Sequence, residues 1–241
     1  MMIGARTAAW AKAGGIVNPY ADDAMLFMFD GIWNDGIGKH VDTMQGEYIK
    51  NCVDGIGDMP VSNTNSKPFP WLDFESDCFY HNANVFANRK GPLEIQVPAN
   101  EMTIEFVMNI GNPSSGGFAY IPTSPSSTST MYLLGYDGEI TYVPGGNFHH
   151  DALPFSEKHS YVLTHKRGEQ KIFIDGQVFA TSNKSLSSDI TSKKFCLPGA
   201  YTSGYGILGG RYYAIRFSNR CMSESEVVKR YAIDKARFNL P

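Results

Sequence analysis

Met102-Thr103-Ile104-Glu105-Phe106-Val107-Met108-Asn109-Ile110 is the stretch that decides the fold. Met102, Ile104, Phe106, Met108 and Ile110 fall on every second position, with Thr103, Glu105 and Asn109 between them. Side chains of a strand alternate between two faces, so this spacing predicts a strand with one apolar and one polar side. Further along, Lys171-Ile172-Phe173-Ile174-Asp175-Gly176-Gln177-Val178-Phe179 sets Asp-Gly between two alternating runs. Asp-Gly accepts the positive φ angles of a type I′ turn, whose twist matches the strands it joins, so a hairpin is predicted there. Asp137-Gly138 repeats the signal.

Outward from these two anchors the chain keeps the same grammar of short apolar runs divided by turn residues. It opens with Met25-Leu26-Phe27-Met28-Phe29. Strands are predicted over about 79–86, 93–97, 102–110, 118–121, 131–136, 140–143, 160–166, 171–175, 177–180 and 212–218. The stretches 50–68 and 111–130 are rich in Gly, Pro, Ser and Asn and read as largely irregular. One helix is expected near the end. Ser223-Glu224-Ser225-Glu226 has capping-box spacing, and Val227, Val228, Tyr231 and Ala232 form its expected buried stripe, with Lys229, Arg230 and Asp234 on the surface. Lys235 and Arg237 suit the negative end of its dipole.

The predicted fold is all-β, a two-sheet antiparallel sandwich with one short C-terminal helix. A chain of 241 residues suits one such domain. Residues 1–23, small and weakly patterned, read as an N-terminal arm, and 24–241 as the sandwich. With 21 Lys and Arg against 24 Asp and Glu, the chain lacks the basic footprint of a nucleic-acid reader. No stretch approaches the ~20 apolar residues that cross a bilayer, and no secretory signal is read at the N-terminus. Cys52, Cys78, Cys196 and Cys221 are scattered without a C-x-x-C pair, so free thiols are expected rather than a zinc site or disulfide framework.

Tyr212-Tyr213-Ala214-Ile215-Arg216-Phe217-Ser218-Asn219-Arg220-Cys221-Met222-Ser223-Glu224-Ser225-Glu226 resembles the closing motif of the concanavalin A-like lectin and glucanase superfamily, in its laminin-G-type jelly rolls. There a strand ends in an Asn-Arg turn and a Leu-Ser-Glu step opens a short helix; Met222 stands here for Leu. His159-Ser160-Tyr161-Val162-Leu163-Thr164 with the 171–176 hairpin is similar to paired strands of the same family. The stretch 25–42 resembles the start of stand-alone versions in gut bacteria and their phages. The resemblance implies a jelly roll and is weak for function, because the superfamily holds lectins, glucanases, adhesion modules and structural proteins.

Glucanases of this fold carry a Glu-x-Asp-x-x-Glu strand whose carboxylates share a face for retaining hydrolysis. The nearest string, Glu75-Ser76-Asp77-Cys78-Phe79-Tyr80, has Tyr at its last position. No G-x-S-x-G, P-loop or H-E-x-x-H occurs, and His149-His150-Asp151 reads as a loop, since adjacent side chains of an extended chain diverge. Asp30, Asn34, Asp35 and Asp42 offer hard oxygens in a Gly-rich loop that suits calcium in the manner of some jelly rolls. Asx turns explain the same composition, and no other cofactor is expected. Trp33, Trp71, Tyr136, Phe148, Tyr201 and Tyr205 lie in or beside predicted loops. Sugars present apolar C–H faces to such rings, so these are the candidate ligand-binding residues; core lids are the competing account.

The expected function is a non-enzymatic jelly-roll surface or binding module, carried on a phage or prophage virion as capsid decoration, fibre or tail. Its expected partners are glycans or other virion and surface proteins, with homo-oligomers formed on the particle, and its expected location is the virion or an extracellular surface. The alternatives are a lectin-like module of a bacterial surface protein and, further off, a diverged glycoside hydrolase.

Overall fold

The computed structural model describes residues 18–33, 48–49, 51–53, 59–60, 72–75, 77–81, 92–94, 101–112, 116–122, 130–136, 139–142, 157–183, 194–196 and 209–241. In chain order the first strands are β1 (Met25–Asp30), β2 (Tyr48–Ile49), β3 (Met59–Pro60), β4 (Leu72–Glu75), β5 (Cys78–His81), β6 (Pro92–Glu94), β7 (Glu101–Asn112) and β8 (Gly116–Pro122). Then come β9 (Thr130–Tyr136), β10 (Glu139–Tyr142), β11 (Lys158–Lys166), β12 (Glu169–Ile174), β13 (Gln177–Ser182), β14 (Lys194–Cys196) and β15 (Gly209–Ser218), and α1 (Glu224–Phe238) closes the chain. The result is an all-β antiparallel sandwich with one C-terminal helix. Its larger sheet runs β13-β12-β11-β7-β15-β5-β4, with β1 also on β15; its smaller runs β10-β9-β8-β14-β6. β2 and β3 pair alone.

The strand at 102–110 sits where its alternation puts it, as β7 at the centre of the larger sheet between β11 and β15. Met102, Ile104, Phe106, Met108 and Ile110 are buried, in register with Leu163, Tyr161, Phe217 and Ile215 of the neighbouring strands. Fully burying a side chain of this kind stabilises by about 1.5–3 kcal/mol, and this face is the apolar heart of the molecule. The predicted hairpin is also present. Ile174 pairs with Gln177 across a two-residue loop, and Asp175 and Gly176 have φ of 49° and 74°. Positive φ at both positions is the type I′ requirement.

Two expectations change. The polar side of β7 is not solvated: Thr103 and Glu105 are as buried as the apolar side. What covers them is α1, and its buried residues are Val227, Arg230, Asp234 and Phe238 rather than the expected stripe. Val228 and Ala232 face solvent, Tyr231 is half-buried, and Arg230 and Asp234 lie inside. Helical spacing alone favoured the apolar stripe; the helix turns instead toward a sheet face that carries charges of its own. Its N-terminus is as expected, with the Ser223 hydroxyl accepting from the Glu226 amide and the Glu226 carboxylate accepting from the Ser223 amide. Thr103 seats the closing motif from below: its hydroxyl donates to the Arg220 carbonyl at 2.8 Å and accepts from the Met222 amide at 3.0 Å. Met222 then packs with Val162, Phe173 and Val227.

Residues 18–23, expected as the last part of an arm, pack into this same layer. Tyr20 is fully buried and clusters with Met25, Met28 and Val53. Residues 1–17 lie outside the described residues.

Candidate functional site

β1 and β5 share one flank of β15, β1 pairing with Ala214–Ser218 and β5 with Gly210–Tyr212. One strand must therefore leave where the other enters. Gly31 marks the exit: a Cβ there would lie 1.9 Å from the Asp77 carbonyl oxygen, so only glycine fits. Its amide donates to the carbonyl of Tyr213, the extra residue at a bulge in β15. Asp30 Oδ1 then accepts from the amides of Ile32 and Trp33 at 3.1 and 3.2 Å, turning the chain out of the sheet and setting Trp33 at its rim.

Trp33 is held from the helix. Arg237 donates to both oxygens of Asp30, at 2.6 and 3.1 Å, and its guanidinium lies 3.8 Å from the centre of a Trp33 ring. Tyr20 meets the indole edge-on at 6.1 Å between centroids. The indole is half-buried and packs against the cluster of Tyr20, Met25, Met28 and Val53. Burial works against the charge on Arg237, but the bond and charge of Asp30 together with Tyr20 outweigh it and raise its pKa above the ordinary value. A planar cation fixed by a buried carboxylate gives the ring a rigid backing.

Behind the rim runs an ionic seam between sheet and helix. Arg216 of β15, wholly buried, donates to Asp234 of α1 at 2.6 and 3.0 Å and to Glu105 of β7 at 3.3 Å. Burial opposes its charge, yet Asp234, Tyr20 and Glu105 together raise its pKa well above the ordinary value. The Tyr20 ring lies 3.8 Å from the Arg216 guanidinium, and its hydroxyl donates to Asp234 at 2.6 Å. Burial, more than any neighbour, keeps that phenol protonated and able to donate. Asp22 completes the seam, accepting from Arg220 at 2.7 and 2.9 Å and from Arg230 at 3.5 Å.

Of the sequence candidates, the structure brings Asp30 and Trp33 together around Arg237. Asp30 does not fit a calcium ligand. It is fully buried, with its oxygens occupied by a guanidinium and two amides, which is the Asx-turn account for this one residue. Asn34, Asp35, Asp42, Trp71, Phe148, Tyr201 and Tyr205 lie outside the described residues, as do His149, His150 and Asp151. Tyr136 is placed as the last residue of β9, its side chain outside the description. No group of three metal-ligating side chains occurs among the described residues. The Glu75–Asp77 string is not a single strand: Glu75 pairs with Cys78, and Asp77 sits exposed in the turn between β4 and β5. Arg237, read in the sequence only as suiting the helix dipole, is here the partner of Asp30 and Trp33, and Arg230, Asp234 and Arg237 stand at helical spacing with Val227 and Phe238. That charged stripe was the available signal.

In fold the chain is similar to sialidases. It superposes on Trypanosoma rangeli sialidase in complex with 2,3-difluoro-KDN with a TM-score of 0.62 at 13% identity, covering 92% of this chain and 34% of that one. On the same organism's sialidase in complex with sialic acid the TM-score is 0.61 at 13% identity, covering 90% and 34%. With domain 4 of AbnA, a GH43 extracellular arabinanase from Geobacillus stearothermophilus, it is 0.48 at 13% identity, covering 85% and 97%. No family model matches the chain and no curated protein sequence does. The chain spans about a third of the sialidases' length. One expectation is corrected here. The fold occurs within enzymes, so it gives no ground for setting catalysis aside, and at this identity it assigns no catalytic step.

Proposed function

We propose that the chain is a glycan-binding sandwich of the concanavalin A-like type, with Trp33 as an aromatic platform for a sugar face. The observation that carries this reading is the Trp33–Arg237–Asp30 arrangement, a half-buried indole at a sheet rim, backed by a cation that a buried carboxylate fixes. Shallow sugar sites need this: apolar area, little conformational freedom and polar groups nearby. The sandwich it sits on is shared with a sialidase solved with sialic acid bound, which supports a carbohydrate partner. The finer reading is display on a phage or prophage particle, as capsid decoration, fibre or tail. The resemblance of the stretch 25–42 to stand-alone phage versions supports it.

A glycan array followed by titration of the hits tests the proposal. Trp33→Ala lowers affinity at least about tenfold, the loss of one aromatic contact of 1.4 kcal/mol or more. The variant's circular dichroism stays that of the parent. Absence of binding to any glycan, or binding unchanged in Trp33→Ala, overturns the proposal. Mass spectrometry of purified particles from a host carrying the gene tests the display.

A further inference from the structure

The ionic seam between sheet and helix is closed to bulk solvent: Glu105 is 2% exposed, Arg216 and Ser218 0%, and Arg230 8%. Its charges are matched, yet single atoms within it are not. Glu105 accepts from Arg216 Nη1 at 3.3 Å through Oε2. Its other oxygen, Oε1, has no hydrogen-bond partner among the described residues, and neither do Arg216 Nε, Arg230 Nη1 and Ser218 Oγ. The residues that carry these atoms are neighbours. Glu105 of β7 and Arg216 of β15 stand opposite each other across the ladder, and Ser218 lies two positions along β15 on the same face. Arg230 is on the buried side of α1 above them.

A buried polar atom left unmet bears the full cost of its desolvation, so native interiors rarely hold several together. Glu105 Oε1 and Arg230 Nη1 stand 3.8 Å apart. That is too long for an N–H···O bond, but one oxygen atom fits at hydrogen-bonding distance from both. Arg216 Nε belongs to the guanidinium that already reaches Glu105, so it lies close to the same carboxylate. We propose that the seam binds one internal water between β7, β15 and α1. It donates to Glu105 Oε1 and accepts from Arg230 Nη1 and Arg216 Nε, with Ser218 Oγ the next polar atom along the face. Water suits this mixed set as an ion does not. An anion would confront the Glu105 carboxylate, and a cation would confront two guanidinium groups. Immobilising one water costs less than leaving these groups unmet. The water thereby completes the bridge from Glu105 in the sheet to Arg230 in the helix. It exchanges with bulk solvent only when α1 lifts, so its residence time reports the undocking of the helix.

A high-resolution crystal structure, grown with bromide in place of chloride, tests the site. Expected is a fully occupied oxygen peak within about 3.2 Å of both Glu105 Oε1 and Arg230 Nη1, without the anomalous signal of bromide. A bromide peak, a direct Glu105–Arg230 bond or empty density between the two overturns the proposal. Oxygen-17 relaxation dispersion on the full chain reads the same water in solution, as a long-lived component. Glu105→Leu combined with Arg230→Met removes both anchors and leaves Arg216 its bonds to Asp234 at 2.6 and 3.0 Å. That component is lost in the double variant, whose circular dichroism and cooperative melting show that it is folded. A folded double variant that keeps the parent's long-lived component overturns the proposal as well.

Discussion

The two faces of the larger sheet are built from opposite materials. On the side away from α1, β7, β11 and β15 present Ile104, Phe106, Tyr161, Leu163, Ile215 and Phe217, and dispersion with water exclusion holds them. On the other side the same strands present Glu105 and Arg216, and α1 answers with Asp234 and Arg230. Both faces are equally buried. An apolar face tolerates partners of roughly the right size, whereas a buried ionic face works only when each charge meets its own partner. The helix and the Tyr20 segment are therefore held less by area than by matching.

The sharpest way to break this contrast is a pair of experiments in chemical denaturant. Phe217→Ala costs about 3–5 kcal/mol through the lost contacts and the remaining cavity. Asp234→Ala costs a similar 3–5 kcal/mol for a different reason, since it leaves Arg216 buried with only Glu105 to face. The difference shows in the double variant. Arg216→Met with Asp234→Leu is less destabilised than Asp234→Ala alone, because removing both charges removes the desolvation cost with them. Additive losses in that cycle would mean that the seam is held by packing and not by charge.

This contrast also explains what could be read from the chain. The apolar face follows from residues two apart on one strand, and the Asp-Gly hairpin from four neighbouring positions, so local spacing is enough for both. The seam is not local. Glu105 lies 111 residues before Arg216, and Asp22 lies 198 before Arg220. No periodicity connects them, and a charged helix stripe ordinarily marks a solvated face. Trp33 stood out as a ring near a loop. Its backing by Arg237, 204 positions on, became visible only once the helix had a place to dock.

The apolar face carries a polar weakness of its own, which acid exposes. His165 pairs with Met102 across the β11–β7 ladder, and burial pushes its pKa down to about 4. An unfolded chain takes up this proton near pH 6.5 while the folded chain refuses it. Stability therefore falls as pH drops from about 6.5 to about 4 and levels off below. The full span costs at most about 3 kcal/mol. His165→Gln removes this segment of the pH–stability curve, read by urea melts at matched salt. A curve unchanged in the variant would place the acid sensitivity in the ionic seam instead.

A smaller effect probes where hairpin and helix touch. Gly176, at φ 74°, would place a Cβ 3.0–3.2 Å from atoms of Tyr231. Gly176→Ala combines backbone strain with that crowding and costs about 1–2 kcal/mol. Tyr231→Ala in the same chain removes the two ring contacts and leaves the strain and the 3.1 Å contact to Cβ. If the two changes add without interaction in thermal melts, the helix does not press on the hairpin.

The smallest expected change asks whether α1 is secured by its own terminus or by the seam. Ser223→Ala removes the hydroxyl that accepts from the Glu226 amide at 3.4 Å, a long bond, while the carboxylate of Glu226 still accepts from the residue 223 amide at 2.8 Å. Half the capping box survives, so the loss is about 1 kcal/mol or a little less, below the usual upper range for such caps. Hydrogen exchange resolves where that loss falls. If the seam does the holding, exchange quickens in the first helical turn and stays slow around Asp234 and Arg237, so the Trp33 backing is untouched. Faster exchange along the whole helix would make the cap the anchor, and the charges beneath it would only follow.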